Sequence, residues 1–279
     1  MHQIELMNLY AGTSGLLPFE GTMSPHDFQD RVEAAANAGF CGIGLWHSDL
    51  EHIMFHRSLR EMKSILDDNG IKYLELEFFT DWFADGVRRM ESDGIKRRLF
   101  HASEALNAKH IKIGDFYQSH CPIDLAAESF AKLCDDANDY GATIGFEFMP
   151  VSMLNNLNDA LAMTELADRK NGGIILDIVH VVNLGITHDM LRKIPVKRLV
   201  NVELNDGARP ESPLYDPERE RRFCGEGDYD IKGFIRCLQE IGYQGPWAVE
   251  VYSNELAKLP LGMLNRKAFE TTMNQFEHR

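Results

Sequence analysis

Short apolar runs alternate with longer amphipathic segments along most of the chain. The runs are rich in Ile, Val, Leu and Phe, which is typical of strands that are buried on both faces. Eight of them predict strands, at residues 4–10, 42–46, 71–78, 110–116, 143–149, 173–179, 197–204 and 247–253.

The segments between these runs carry apolar residues at helical spacing. The first has Ser24 and Pro25 at its start and Gly39 at its end, which are typical helix start and stop signals. Several later strands also follow a glycine that can cap the preceding helix, as in NGIKYLEL. The predicted helices lie at about 25–38, 57–68, 93–108, 124–140, 157–170, 187–193, 230–241 and 264–277.

Eight strands alternating with eight helices in 279 residues match a (β/α)8 TIM barrel, an α/β fold, in both count and length. The competing fold is a doubly wound open sheet, which usually has a Gly-rich phosphate turn after its first strand. The stretch AGTSG after the first predicted strand matches no such turn. No linker divides the chain, so we expect one domain over residues 1–279. Residues 206–229 are too long for a simple connector and predict a functional loop.

Charge and cysteine usage narrow the function classes. The formal net charge of −14 argues against binding a polyanion such as DNA, and we expect no nucleic-acid partner. The five cysteines are odd in number, widely spaced and form no CxxC, which disfavours a disulfide framework or a zinc knuckle. MHQIELMNLY does not resemble a signal peptide, and no apolar stretch approaches the roughly 20 residues that span a bilayer. We therefore expect a cytoplasmic protein without membrane contact.

Four consecutive predicted strands carry a carboxylate near their C-terminal ends. These are Glu147 in GFEFMP, Asp177 in ILDIVH, Glu203 in LVNVELND and Glu250 in WAVEVYS. In a barrel the C-terminal ends of the strands converge on one site. Like charges held together there require protonation, basic partners or a bound cation, and oxygen ligands suit Mg²⁺ or Mn²⁺. A single acid near a strand end is more often a helix cap or a salt-bridge partner, but four in succession favour a common site.

Two basic residues lie near these acids in the predicted fold. His180 follows Asp177 by three residues and is a candidate metal ligand or substrate-binding group, with a structural histidine as the alternative. Lys112 interrupts an apolar run. It is a candidate to neutralise one of the acids, to act as a second base or to donate to substrate, and a structural ion pair is favoured. Other side chains expected at the same mouth are Trp46, His47, Glu75, Glu77 and Asp115. For Trp46, core packing is favoured over stacking on a sugar ring.

From about residue 30 to the C-terminus, the chain resembles the xylose isomerase-like barrel superfamily, in its branch of sugar isomerases, epimerases and inosose dehydratases. The motifs are GFEFMP, LDIVH with its DxxH, VELNDG, RRFCGEGDYD and GYQGPWAVEVYS, in the family's order. The stretch EVYSNELAKLP is most similar to the inosose dehydratase and keto-sugar lyase end of the branch.

The resemblance implies one divalent cation, often Mn²⁺, Mg²⁺ or Co²⁺, on four strand-end residues, typically Glu, Asp, His and Glu. Glu147, Asp177 and Glu250 match the first, second and fourth of these positions. VELND stands where relatives often read VHLKD, so Glu203 replaces the usual His. An all-carboxylate set favours Mn²⁺ or Mg²⁺ over Zn²⁺, although it leaves open that Glu203 lies outside the ligand set.

The resemblance also implies substrate-binding residues. The family's histidine matches His180, and its arginine matches either Arg221 or Arg222; a solvated charged stretch, ERERR, is the alternative for the arginines. Glu147 and Glu250 would flank a keto-sugar or cyclitol and share the acid and base roles. The expected chemistry is proton removal next to a carbonyl, leading to an epimer, an isomer or an elimination product.

Several points stay open at this stage. The acids in GEGD favour an unphosphorylated substrate, and a homo-oligomer is compatible with the relatives. One alternative is a non-catalytic or partner-dependent sugar-binding subunit of a glycoside lyase. A second is a DNA repair endonuclease of the AP-endonuclease type, which is disfavoured by the negative net charge and by strand ends that supply mainly carboxylates rather than histidines.

Overall fold

Eight parallel strands form a closed barrel in the computed structural model, which describes residues 3–9, 23–117, 119–209, 221–253 and 255–276. The first strand, β1, pairs with both its successor and the last strand, and this closes the barrel. The strands are β1 (Leu6–Asn8), β2 (Gly42–Trp46), β3 (Tyr73–Phe79), β4 (His110–Ile113), β5 (Ile144–Glu147), β6 (Gly172–Asp177), β7 (Leu199–Leu204) and β8 (Trp247–Val249). The predicted (β/α)8 fold is confirmed.

Helices follow the strands and cover the outside of the barrel. They are α1 (Phe28–Ala38), α2 (His47–His56), α3 (Leu59–Asp68), α4 (Gly86–Leu106), α5 (Ile123–Asn138), α6 (Leu157–Ala167), α7 (Ile178–Asn183), α8 (His188–Leu191), α9 (Ile231–Glu240) and α10 (Leu261–Met273). Short 3₁₀ helices lie at Val196–Arg198 and Leu256–Lys258. In the part of the chain that the structure describes, no helix is both long and apolar enough to cross a membrane.

Two helices, α2 and α7, were not predicted from the sequence. Each begins directly after a strand, so no loop residues separate the two patterns. The predicted strand 173–179 therefore ends early, at Asp177, whose carboxylate accepts a hydrogen bond from the backbone N–H of Val179 and starts α7. A short apolar run such as IVHVV fits a strand or a helix equally well, which is why the boundary was wrong.

Other predicted element boundaries also differ from those in the structure. The fifth strand ends at Glu147 rather than at residue 149, and α4 begins at Gly86 rather than at 93. The AGTSG stretch and residues 210–220 of the predicted 206–229 loop lie outside the described residues, as do the ends of the first predicted strand and of the last predicted helix.

The strands separate an apolar outer layer from a polar interior. Successive residues of a strand point to opposite faces. On β4, Ile111 and Ile113 belong to the hydrophobic core, whereas His110 and Lys112 contact carboxylates inside the barrel. The apolar residues that made β4 recognisable as a strand therefore anchor the helices, and the polar ones between them build the interior.

Candidate active site

A buried polar layer fills the barrel nearer the N-terminal ends of the strands. The Oε2 atom of Glu75 contacts Nε2 of His110 and accepts a hydrogen bond of 2.9 Å from Nδ2 of Asn201. All three side chains are fully buried. Burial would raise the pKa of Glu75, but the charges of Lys112 and His110 outweigh it, and this pKa lies below its usual value. This layer closes the barrel beneath the site.

Lys112 lies at the centre of the next layer, near the C-terminal ends of the strands. Its Nζ atom is 3.0 Å from Oε1 of Glu203 and 2.8 Å from Oε1 of Glu250. The same atom is 2.8 Å from Oε2 of Glu77, 3.3 Å from Oε1 of Glu75 and 3.8 Å from Oε2 of Glu147. Burial opposes the charge of the ammonium group, but the surrounding carboxylates raise the pKa of Lys112 well above its usual value. Lys112 is thus a permanent cation inside the barrel.

The four strand-end acids converge as predicted for a barrel. One carboxylate oxygen from each of Glu147, Asp177, Glu203 and Glu250 lies within 4.8 Å of the others, and all four residues are buried. Asp177 and Glu203 are directly opposite each other in the pairing of β6 with β7. Glu147 and Asp177 also form a second group of this kind with His180.

These residues fit a divalent cation. Within the described residues, Oε2 of Glu203 is buried and has no hydrogen-bond partner. Burial and the neighbouring charge of Glu250 raise the pKa of Glu203 well above its usual value, so its ionised form needs more positive charge than Lys112 supplies. Four converging carboxylates are hard oxygen ligands, which suit Mg²⁺ or Mn²⁺. Glu203 therefore belongs to the group that could hold the ion.

Arg221 completes the site from the segment between β7 and α9. Its Nη1 atom lies 2.8 Å from Oδ2 of Asp177 and 2.8 Å from Oε2 of Glu250, and its guanidinium stacks 4.3 Å above the ring of Tyr252. Burial would raise the pKa of Glu250, but Lys112 and Arg221 lower it to about 2. Of the two arginines that the sequence left open, the structure brings Arg221 to the acids. Arg222 instead donates to the backbone carbonyl of Glu226.

Asp206, which was not predicted from the sequence as a site residue, shapes the turn that follows Arg221. Its Oδ1 atom accepts from the backbone N–H groups of Gly207 and Tyr229, at 2.8 and 3.0 Å. Its Oδ2 atom accepts from those of Gly225 and Gly227, both at 2.9 Å. A Cβ on Gly227 would lie 2.3 Å from Oδ1 of Asp206, so this packing requires a glycine. The spacing of glycines in CGEGDY was the available signal for such a turn.

A cavity of about 220 Å³ opens above the acids. One wall is aromatic: the rings of Trp46 and Phe78 stack at 5.7 Å, and those of Phe78 and Phe116 at 4.7 Å. A Cβ on Gly114 would lie 2.2 Å from Cζ of Phe78, so the glycine makes room for this wall. The lining residues are Trp46, Glu77, Phe78, Lys112, Phe116, Glu147, Met149, Pro150, Val151, His180, Asn183, Arg221, Glu250 and Tyr252.

The predicted site residues differ in their relation to this cavity. His180 lies in the first turn of α7 with its Nε2 atom 3.3 Å from Oε1 of Glu147. His47 starts α2 and is not one of the described residues that line the cavity; burial and the charge of Arg98 lower its pKa to about 4. Asp115 is buried and accepts from the backbone N–H groups of Tyr117 and Ser119, which orders the loop after β4. Tyr252 was missed, although it follows Glu250 by two residues and lines the same cavity.

Residues 32–270 match the family model described as a xylose isomerase-like TIM barrel. The chain belongs to this family. The predicted resemblance to this superfamily is confirmed.

Named relatives are enzymes. The chain is 26% identical over 238 residues to a 3-dehydroshikimate dehydratase of Pseudomonas aeruginosa. The aligned region covers 83% of this chain but only 37% of that protein. The chain is 23% identical over 238 residues to an inosose isomerase of Halalkalibacterium halodurans, covering 80% of this chain and 81% of that protein. A crystal structure of IOLI protein with a bound zinc atom superposes with a TM-score of 0.85 at 19% identity, covering 98% of both chains. At this identity, the structural similarity to IOLI protein shows that the two chains share a fold.

Proposed function

We propose that this barrel is a divalent-metal-dependent enzyme that removes a proton next to the carbonyl group of a keto-sugar or a keto-cyclitol. The observation that carries the proposal is the position of Glu147 and Glu250. Both line the cavity, and both belong to the group of four carboxylates that fits a cation. The names of the relatives, a dehydratase and an inosose isomerase, support a reaction of this kind.

The ion would be held by Glu147, Asp177, Glu203 and Glu250, and Mn²⁺ or Mg²⁺ suits these ligands best, with Co²⁺ and Zn²⁺ as alternatives. When bound, it would supply Lewis acidity that favours the enolate form of the substrate. The remaining chemistry belongs to the side chains of the cavity.

The two glutamates have different surroundings, which suggests different roles. Each oxygen of Glu250 accepts a hydrogen bond from a buried cation, one from Lys112 and one from Arg221, so this carboxylate is a weak base. Glu147 lies 3.8 Å from Lys112 and 3.3 Å from the ring of His180. We therefore assign proton removal to Glu147. His180 orients its Oε1 atom, and Glu250 holds Arg221 and Lys112 in place.

The cavity favours a small ring without a phosphate group as substrate. The aromatic wall of Trp46, Phe78 and Phe116 suits the apolar C–H face of a six-membered ring. His180 and Asn183 also line the cavity and provide polar groups for hydroxyls of the ring. Lys112 and Arg221 are the cations among the described lining residues, and both are held by carboxylates. A phosphate group would require further positive charge, so we propose an unphosphorylated substrate.

Hydrogen exchange tests this function directly. The metal-loaded protein is incubated in D₂O with inososes, ketohexoses and 3-dehydroshikimate, and the products are examined by NMR. We expect deuterium at one carbon next to a carbonyl in one class of substrate. Glu147→Gln should abolish the exchange, whereas Glu165→Gln, on the exposed side of α6, should not. Exchange that appears only with an added protein would instead support a partner-dependent subunit.

A further inference from the structure

Lys112 and Glu203 form a contact that the proposed function does not explain. Lys112 is 1% exposed, and its Nζ atom lies 3.0 Å from Oε1 of Glu203, which is itself fully buried. A buried ammonium group costs free energy unless carboxylates surround it, and a metal-binding site does not ordinarily profit from a second cation beside its ligands. The contact between Lys112 and Glu203 therefore calls for a separate physical explanation.

We propose that Lys112 is the permanent counter-ion of Glu203, so that the pair balances the charge of a four-carboxylate metal site and sets its affinity for the ion. This inference rests on the proposed function, because it concerns the same site. It assigns Lys112 a positioning and charge-balancing role, distinct from the roles of the ligands.

Within the four-carboxylate group, the charges balance when Lys112 is counted together with Arg221 and a divalent ion. The four carboxylates of the group carry four negative charges when ionised. Lys112 and Arg221 each lie within hydrogen-bond distance of members of the group, and together they offset two of these charges. A divalent cation offsets the other two. Without Lys112, the loaded site would hold an uncompensated negative charge in the barrel interior, which is costly.

The geometry separates the two cations. Lys112 takes Oε1 of Glu203 and Oε1 of Glu250, whereas Arg221 takes Oε2 of Glu250. Among the described atoms, Oε2 of Glu203 keeps no hydrogen-bond partner. Lys112 thus occupies one oxygen of Glu203 and leaves the second oxygen for a ligand bond.

Two carboxylates outside the metal-binding group, those of Glu75 and Glu77, also lie next to Lys112. Oε2 of Glu75 already contacts His110 and Asn201. Glu77 contacts Lys112 at 2.8 Å but is not a member of the metal-binding group.

Within the group, Glu147 lies 3.8 Å from Lys112 and also contacts His180, and Asp177 and Glu250 contact Arg221. Glu203 lies 3.0 Å from Lys112, its one basic partner among the described ion pairs.

The proposal predicts opposite effects for the two partners. Lys112→Met leaves the site with excess negative charge and should raise the affinity for Mn²⁺ at least about tenfold. Glu203→Gln removes a charged ligand but retains Lys112, and should lower that affinity at least about tenfold. The double variant Lys112→Met with Glu203→Gln restores the balance, so its affinity should return to within about threefold of that of the wild type.

The experiment is calorimetric titration with Mn²⁺ alone on metal-free protein, followed by urea unfolding of the same samples. Lys109→Met is the matched control, because it removes a lysine just before β4, at the opposite end of the barrel from the site, and should leave the Mn²⁺ affinity unchanged. In the absence of metal, Lys112→Met should be the least stable variant, and adding Glu203→Gln should restore part of the loss. If Lys112→Met alone does not fold, recovery of folded protein in the double variant supports the pair.

The outcomes separate this proposal from the proposed function. Wild-type protein that binds Mn²⁺, with Lys112→Met binding it equally or more weakly, overturns the charge-balancing role and leaves the metal site intact. A double variant no more stable than Lys112→Met overturns it as well. Wild-type protein that binds no divalent ion contradicts the proposed function, whereas the unfolding measurements still decide whether Lys112 and Glu203 act as a pair.

Discussion

The guanidinium group of Arg221 lies within 2.8 Å of the carboxylate of Glu250 and holds that carboxylate beside Asp177. One nitrogen, Nη1, bridges the two acids. A residue from the segment after β7 therefore fixes side chains from the ends of β6 and β8. This bridge connects a loop to the centre of the site.

Replacing Arg221 by lysine should impair the enzyme while the barrel stays folded. A lysine keeps the charge but lacks the planar group that bridges two carboxylates and stacks on Tyr252. We expect kcat/KM to fall at least about tenfold, which corresponds to the loss of one hydrogen bond to a charged group. Arg222→Lys is the control and should leave kcat/KM unchanged. Equal effects of the two substitutions would contradict the assignment of Arg221 to the site.

Asp206→Asn should disturb the same bridge from a distance. An asparagine offers one accepting oxygen, and its amide NH₂ would face two backbone N–H groups that now donate to Oδ2. We expect the free energy of unfolding to fall by about 1–3 kcal/mol and kcat to fall more than the affinity for substrate. Asp228→Asn, an exchange of a neighbouring carboxylate in the same turn, serves as the comparison. Unchanged stability in Asp206→Asn would show that the four contacts are not needed.

The stability of the metal-free protein should depend on pH through Glu77. Burial raises the pKa of Glu77 to about 8 in the folded protein, although Lys112 partly offsets this, while the ordinary value is 4.5. An acid with a raised pKa stabilises the fold most at low pH, so this contribution is lost as the pH rises from about 4.5 to about 8. We expect Glu77→Gln to reduce the loss of stability between pH 5 and pH 8, measured by urea unfolding in EDTA. If the free energy of unfolding depends on pH in the same way for the wild type and Glu77→Gln, the pH dependence does not come from Glu77.

Glu250 should affect the pH dependence of stability in the opposite direction to Glu77, and at acid pH. Its pKa is lowered to about 2 in the folded protein, against an ordinary value of 4.5. A lowered pKa contributes stability above about pH 4.5 that is lost as the pH falls towards 2. In the metal-free protein, Glu250→Gln should therefore unfold with a flatter pH dependence between pH 4.5 and pH 2 than the wild type. A steeper dependence would contradict the compensation by Lys112 and Arg221.

Trp46→Leu should weaken substrate binding more than catalysis. Trp46 stacks on Phe78 in the cavity wall, and no ion pair or hydrogen bond of its side chain is among those described. Because such a contact is made equally in the ground state and the transition state, KM should rise several-fold, consistent with about 0.5–1.5 kcal/mol for an aromatic pair, and kcat should change little. A fall in kcat with constant KM would assign Trp46 a different role.

Much of this site could be anticipated because barrel geometry is repetitive. Each acid was recognisable as a polar residue in an apolar run, and the fold brings strand ends together irrespective of loop structure. Glu147, Asp177, Glu203 and Glu250 are accordingly close in space. The convergence of the four acids was thus predictable from strand order, whereas their assignment as metal ligands also depended on the family resemblance.

Contacts that depend on side-chain direction could not be derived in this way. Lys112 and Glu203 are 91 positions apart in the sequence, and no local pattern indicates that one oxygen of Glu203 is shared with an ammonium group. The choice between Arg221 and Arg222 depended on the bridge that pairs the backbone of Arg222 with Asp206. The start of α7 depended on a hydrogen bond from Val179 to Asp177. Each is a tertiary or capping contact rather than a periodic one.

The central claim is that the four carboxylates hold a divalent ion that the reaction needs. The most direct measurement is the metal content of purified wild-type protein and of Glu147→Gln with Glu250→Gln, before and after incubation with Mn²⁺. We predict about one divalent ion per chain in the wild type and much less in the double variant, because two of the four ligands have lost their charge. A wild-type chain that takes up no Mn²⁺, or a double variant that holds as much as the wild type, would contradict the account.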